Sequence, residues 1–282
     1  MVTAPQPHSA VTKQQDAERL ARVYSAHARG YSDHWSPIIR TAGQRLLEAL
    51  SWRGANRVID IGTGAGAHLP DLRRLAPDAW ILGVDRSRGM LELARSHRIP
   101  LAIMDGMDLA LRAESFDVAV IVFALFHLEE PVLALGGVRR ILRPGGTLGV
   151  VTWGEDPDVE ASKIWEAELD ALGARDADAI PRKHELMNTT DKVARLLSTA
   201  GLTPVTLWVE PLQHDWDVDT LFALNTEFGR LRRKLESLET ATRRVFLDRM
   251  RRRLAALPRE AFLYRATAVC GVACRESDPP RF

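Results

Sequence analysis

The sequence predicts a doubly wound α/β fold, a largely parallel sheet with helices on both faces. Two rhythms and one turn point to it. Short, nearly all-apolar runs recur at Arg57–Ile61, Trp80–Asp85, Leu101–Asp105, Phe116–Ala124 and Thr147–Trp153, the pattern of strands buried on both sides. Stretches with helical spacing separate them, at His68–Leu75, Met90–His97 and Val132–Leu142, so each strand feeds a crossover helix. Three glycines then follow the first of these strands, at Gly62, Gly64 and Gly66.

The remaining elements follow in order. The first dozen residues, with Pro5 and Pro7, read as a frayed tail. Lys13 to Gly30 reads as a helix through Leu20, Val23, Tyr24 and His27, with Gly30 as its stop, and a second helix is expected over Pro37–Leu50. Beyond Gly154, Ala161–Leu172 and Thr190–Ala200 read as helices, the latter capped by its leading threonines and ended by Gly201. Pro204–Val209 is a sixth strand, and a polar segment with Trp208, His214 and Trp216 leads into a long charged stretch, Val218–Leu257. Ala266–Cys274 is a seventh strand, and Pro279-Pro280 marks a disordered tail. Three parts are expected: an N-terminal helical lid (1–50), a ligand-binding core (51–154), and cap helices with the last two strands (155–282).

A chain of 282 residues can bury one full core. Its apolar share of 46% and charged share of 27% are ordinary for a globular domain. A formal net charge of +1 gives no global field toward nucleic acid or an acidic membrane. The only cysteines, Cys270 and Cys274, share one face of an apolar strand and read as packing residues in a reducing compartment. No zinc or other metal site is expected. The first residues lack the basic-then-apolar layout of a secretory signal, and no apolar run approaches a membrane span of roughly 18–20 residues. The expectation is a cytoplasmic protein with no membrane contact.

The glycine turn is the informative element. Glycine permits sharp turns and close ligand approach, and a strand–loop–helix of this kind sits at the carboxyl edge of the sheet, where doubly wound folds bind nucleotides. The spacing is G-x-G-x-G, not the G-x-G-x-x-G that brings a helix onto a pyrophosphate. Asp60 precedes the loop, and Asp85 ends the second strand, where an acid accepts hydrogen bonds from ribose hydroxyls. An acid beside the loop suits a ligand with an ammonium group and no phosphate. The alternative is a plain tight turn.

Taken together, D-I-G-T-G-A-G, G-V-D-R-S, M-D-G-M-D, F-D-V-A-V-I-V-F-A-L-F-H-L and R-R-I-L-R-P-G-G-T-L resemble the successive motifs of class I S-adenosylmethionine-dependent methyltransferases. The nearest likeness is to those of ubiquinone and menaquinone biosynthesis and of natural-product pathways. It covers Arg57 to Trp153, and the spacing of Tyr24, Tyr31 and Trp35 also resembles that family's first helices; past Gly154 no motif matches. The resemblance implies a Rossmann-like seven-stranded mixed sheet whose last strand is antiparallel, with a helical cap over the acceptor. It also implies S-adenosylmethionine as cofactor, S-adenosylhomocysteine as product, and a small-molecule acceptor. It assigns Asp60, Gly62, Thr63, Gly64 and Gly66 to the methionine moiety and Asp85 to the ribose. Arg86 and Met90 would flank the sugar or adenine, Asp105, Gly106 and Met107 would read the adenine, and Ala124 and Leu125 would lie beside the methionine chain. Tyr24, Tyr31 and Trp35 either close over the cofactor as a lid or pack the entry helix on the sheet. The Arg143–Gly146 turn reads as structural.

The sulfonium carries the chemistry, so the protein must align acceptor, methyl and sulfur and exclude water. A general base helps where the acceptor is a hydroxyl or an acidic C–H. His127 is the candidate base; His184 and His214 are the others, each equally readable as a loop histidine. The arginines of Arg230–Arg253 alternate with apolar residues and acids, which reads as a solvated helical face and makes nucleic acid an unlikely partner. Trp165, Trp208, Trp216, Phe222 and Phe228 suggest an apolar or aromatic acceptor. Alternatives are a cyclase or decarboxylase that keeps the cofactor pocket, an RNA methyltransferase, and a nucleotide-binding module without chemistry. The acceptor's identity and the oligomeric state stay open.

Overall fold

The computed structural model describes residues 10–155, 157–176 and 183–276, with side chains from residue 15 onward. The tails expected before Lys13 and at Pro279-Pro280 lie wholly or mainly outside those residues. Seven strands form one sheet: β1 (Arg57–Ile61), β2 (Trp80–Asp85), β3 (Leu101–Ile103), β4 (Phe116–Val122), β5 (Leu142–Trp153), β6 (Thr203–Asp215) and β7 (Leu263–Cys274). Their spatial order is β3-β2-β1-β4-β5-β7-β6. β1 to β5 pair in parallel, and β7 runs antiparallel to both β5 and β6, so the sheet is mixed as expected.

Period-two alternation sorts the core into two layers. On one face Val58, Val118 and Val120 meet Ile38, Leu46 and Leu47 of α3 (Ser36–Ala49) and Leu69 and Leu72 of α4 (Leu69–Leu75). On the other, Ile59, Ile61, Ala119 and Ile121 meet Leu135 and Val138 of α6 (Pro131–Ile141) and Val193 and Leu197 of α8 (Thr190–Thr199). The α8 cap is Thr189, whose hydroxyl accepts the Lys192 amide at 3.3 Å. α5 (Arg88–Ala94) covers the edge near β3 and starts at Ser87, whose hydroxyl accepts the Met90 amide.

Four sequence expectations change. The first helix does not run to Gly30: α1 (Ala10–Ala26) breaks at His27, and Gly30 lies within α2 (Ala28–His34). A Cβ at Gly30 would stand 1.9 Å from Glu227 Oε2, so that glycine admits a neighbouring helix and ends nothing. The polar segment after the sixth strand is strand too, because β7 supplies a pairing partner out to Asp215. The charged stretch divides into α9 (Val218–Glu227), α10 (Gly229–Glu236) and α11 (Thr240–Ala255).

The arginine-rich face is paired, not merely solvated. Arg230 and Lys234 both reach Glu166 of α7 (Glu160–Ala171), and Lys234 also reaches Asp170. Arg233 meets Asp176 at 2.7 Å, Arg249 and Arg253 meet Glu168, and Arg251 meets Asp219 at 2.9 Å. Beneath this network Trp165 lies edge-on to Phe222 and Phe246. α7, α9, α10 and α11 thereby form one helical layer beside the sheet.

Candidate functional site

β1, β2 and β4 end together, and β1 lies where the strand order reverses, the place at which doubly wound sheets leave a crevice. The space there, open solvent included, is about 1040 Å³. Its floor is the glycine loop. Gly62 and Gly64 have φ of 75° and 54°, the left-handed region that L side chains avoid. A Cβ at Gly62 would sit 2.4 Å from the Cβ of Ala124, so glycine lets the ends of β1 and β4 approach. The Gly62 and Thr63 amides both donate to the Val84 carbonyl, at 2.8 and 3.0 Å, tying the loop to β2.

Two acids, Asp60 buried and Asp85 half-buried, organise the polar wall. Thr63 donates its hydroxyl to Asp60 Oδ2 at 2.7 Å. Burial nevertheless pushes the Asp60 carboxyl up to about 7, with the Thr63 bond opposing and the nearby Asp85 adding to the rise. Asp85 accepts the Gly64 amide at 2.9 Å through Oδ2 and the Ser87 amide at 2.7 Å through Oδ1. Burial raises its pKa as well, against the pull of those amides and of Arg86. Further along, Arg86 pairs with Asp105 Oδ2.

The mouth is crossed by helix. Ala17, Leu20, Ala21 and Tyr24 of α1, Tyr31 of α2, and Ser36 and Ile39 of α3 line the crevice. The Tyr24 hydroxyl lies 3.0 Å from His127 Nε2. Burial and the Lys183 charge hold that imidazole down to about 4, which keeps it neutral at pH 7. Burial raises the Tyr24 and Tyr31 phenols above their ordinary range, so both keep their protons. α1 is further fixed by a Ser25–Ser87 hydroxyl contact of 2.8 Å and by the Gly89 amide donating to Ser25 Oγ at 3.2 Å. Phe123, at the end of β4 with φ of 51°, also lines the crevice, and its ring lies 4.2 Å from that of Trp153.

The crevice brings together Tyr24, Tyr31, Asp60, Gly62, Thr63, Gly64, Asp85, Arg86, Met90, Asp105, Gly106, Ala124 and His127. Three expected residues stand elsewhere. Gly66 faces α4 and α5, where a Cβ would meet Leu69, Ala94 and His97. The Met107 amide is already used, donating to Asp105 Oδ1 at 2.9 Å within a tight turn. Leu125 is buried in the opposite core layer. Neither His184 nor His214 lines the crevice, and Trp35 instead meets Trp153, Trp216 and Tyr264 edge-on. The five aromatic residues expected to face an acceptor do not line it; Trp165 and Phe222 fill the helical layer, and Phe228 backs Tyr31. Sequence reasoning passed over His68, Phe123, Ser25 and Gly89. The one local signal for any of them was the place of His68, two residues past the glycine loop.

Residues 59–150 match the family model described as a methyltransferase domain. A demethylmenaquinone methyltransferase of Corynebacterium kroppenstedtii is 29% identical over 149 residues, 49% of this chain and 62% of that protein. A malonyl-[acyl-carrier protein] O-methyltransferase of Methylococcus capsulatus is 33% identical over 151 residues, 51% of this chain and 54% of that protein. The matches thus span under two thirds of either relative. A Thermotoga maritima SAM-dependent methyltransferase has the same fold, with a TM-score of 0.52 at 16% identity, covering 91% of this chain and all of that one. Among the described residues no helix is long and apolar enough to cross a membrane, and no cluster of three or more His, Cys, Asp or Glu is placed to hold a metal.

Proposed function

We propose that this chain, whose residues 59–150 match a methyltransferase domain model, transfers a methyl group from S-adenosylmethionine to a small-molecule acceptor uncharged at its reacting end. The observation that carries the reading is the acid pair at the crevice, Asp60 beside the glycine loop and Asp85 at the end of β2. The residues fit such a cofactor: the wall presents three carboxylates, and its one guanidinium, Arg86, is already paired with Asp105. A cationic ligand with a sugar diol suits that wall, whereas a pyrophosphate would meet like charge.

When bound, the cofactor supplies a sulfonium-activated methyl group. Asp85 holds the ribose hydroxyls, and Asp60, ionised by an ammonium group beside it, holds the amino-acid end. Met90 and Asp105 flank the base. The Gly62–Ala124 seam and Phe123 would floor the part of the crevice beside the methionine chain. Tyr24 and Tyr31 would close the mouth and exclude water. An imidazole held near 4 is poorly matched to a hydroxyl proton, so His127 acts chiefly by positioning the Tyr24 hydroxyl toward the acceptor. Among the described residues no unpaired lysine or arginine lines the crevice, so nothing there would neutralise an anionic acceptor. The ion pairs of α10 and α11 likewise leave few arginines for RNA phosphates.

The test is calorimetry with S-adenosylhomocysteine. Asp85→Ala removes up to two charge-assisted hydrogen bonds, each about 1.5–3 kcal/mol, and weakens binding at least a hundredfold while the fold persists. Unchanged affinity in that variant overturns the reading.

A further inference from the structure

Among the described residues, His68 supplies the only side-chain nitrogens of the crevice wall that have no hydrogen-bond or ion-pair partner. It follows the glycine loop and is 5% exposed, and neither ring nitrogen has a partner. The ring fits against α3 where Gly43 has no side chain; a Cβ there would stand 2.1 Å from the ring. Ile39 and Ser36, one and two turns earlier on α3, line the crevice together with His68. Unmade hydrogen bonds on buried polar atoms cost roughly 1–3 kcal/mol each, and such costs persist where a ligand completes them.

The charge inventory says what that ligand group is. An amino-acid end brings an ammonium and a carboxylate together. Asp60 and Asp85 serve cations and hydroxyls, Arg86 is paired with Asp105, and His127 is engaged by Tyr24. Of the side-chain nitrogens lining the crevice, those of His68 are left to donate to an anion, with the Tyr31 and Ser36 hydroxyls as the other donors of the wall. The nearby acid, Asp71, is itself held by Arg40 at 3.3 Å and Arg74 at 3.6 Å, so it does not occupy the ring.

Resting on the reading above, we propose that His68 anchors the α-carboxylate of the cofactor's amino-acid end. The absent side chain at Gly43 lets the ring stand in the crevice wall, where a ligand carboxylate would complete one of its unmade hydrogen bonds. Asp60 and His68 then form a matched pair, acid to ammonium and imidazole to carboxylate, which selects an intact amino acid over a truncated nucleoside.

Calorimetry with two ligands tests this: S-adenosylhomocysteine, and its decarboxylated analogue, which keeps the sulfur, ammonium and nucleoside. The wild-type chain should prefer the intact ligand about ten- to a hundredfold, the worth of one hydrogen bond to a charged group. His68→Ala should bring that ratio close to one while leaving affinity for the analogue unchanged. His68→Gln, which can still donate, should recover part of it. Loss of both ligands equally, an unchanged ratio in His68→Ala, or collapse of the ratio in Tyr31→Phe instead, overturns the assignment. Failure of the wild-type chain to bind either ligand refutes the cofactor reading itself and is distinguishable from all of these.

Discussion

Gly89→Ala isolates the docking of α1 over the crevice. A Cβ at position 89 would lie 2.6 Å from the Ser25 carbonyl oxygen, 2.8 Å from its Cα and 3.0 Å from its carbonyl carbon. All three are backbone atoms, so no side chain can swing aside, and α1 must retreat by several tenths of an ångström. The retreat stretches the Ser25–Ser87 and Gly89–Ser25 contacts directly and the Tyr24–His127 contact through the helix. Three neutral hydrogen bonds at about 0.5–1.5 kcal/mol each put roughly 1.5–4.5 kcal/mol at risk. Little else holds α1, since Ala17 is its one buried apolar residue among those with described side chains. The opposite sign comes from α5, where alanine replaces glycine in a helix and gains about 1 kcal/mol. Global stability should therefore change little, while the free energy of opening α1 falls. Hydrogen exchange should show residues 15–26 losing protection at least tenfold with the sheet unchanged, and S-adenosylhomocysteine should dissociate faster. Full α1 protection in the variant would refute the steric argument, because the helix would have absorbed the methyl group at no cost.

Two pH measurements probe the buried groups. His127 should stay neutral on acidification to about pH 5 and titrate near 4 in an NMR titration; a midpoint near 6.5 would mean a wet ring and an open mouth. Because its folded pKa is depressed, as is that of His68, both contribute stability that is present above about 6.5 and lost as pH falls toward 4. Glu166 is pulled down to about 2, first by the Arg230 hydrogen bond, so its contribution holds above about 4.5 and fades as pH drops through 2. Glu166→Gln should lower the melting temperature at pH 7 and flatten its fall between pH 4.5 and 2; an equal slope in both proteins would show the network to be inert.

Much of this molecule was legible without coordinates because its determinants are local. A buried parallel strand is a short apolar run, and a glycine loop needs left-handed backbone at Gly62 and Gly64, so the runs that become β1 to β5 and the places of Asp60 and Asp85 along the chain follow from spacing alone, whereas the order of the strands in the sheet does not. Tertiary packing decided the rest. Gly30 looks like a helix stop and Gly89 carries no signal in a linear reading, yet each makes space for another segment, and space between segments has no periodicity. Leu125 and Ala124 are neighbours in sequence, but the left-handed turn at Phe123 sends one into the core and the other to the crevice. The orphaned imidazole of His68 is a property of everything that fails to reach it, and no run of residues encodes that. The arginines of α10 and α11 read as a wet face until α7 brings its acids from more than sixty residues away, because electrostatic pairing depends on distance in space, which only the folded chain sets.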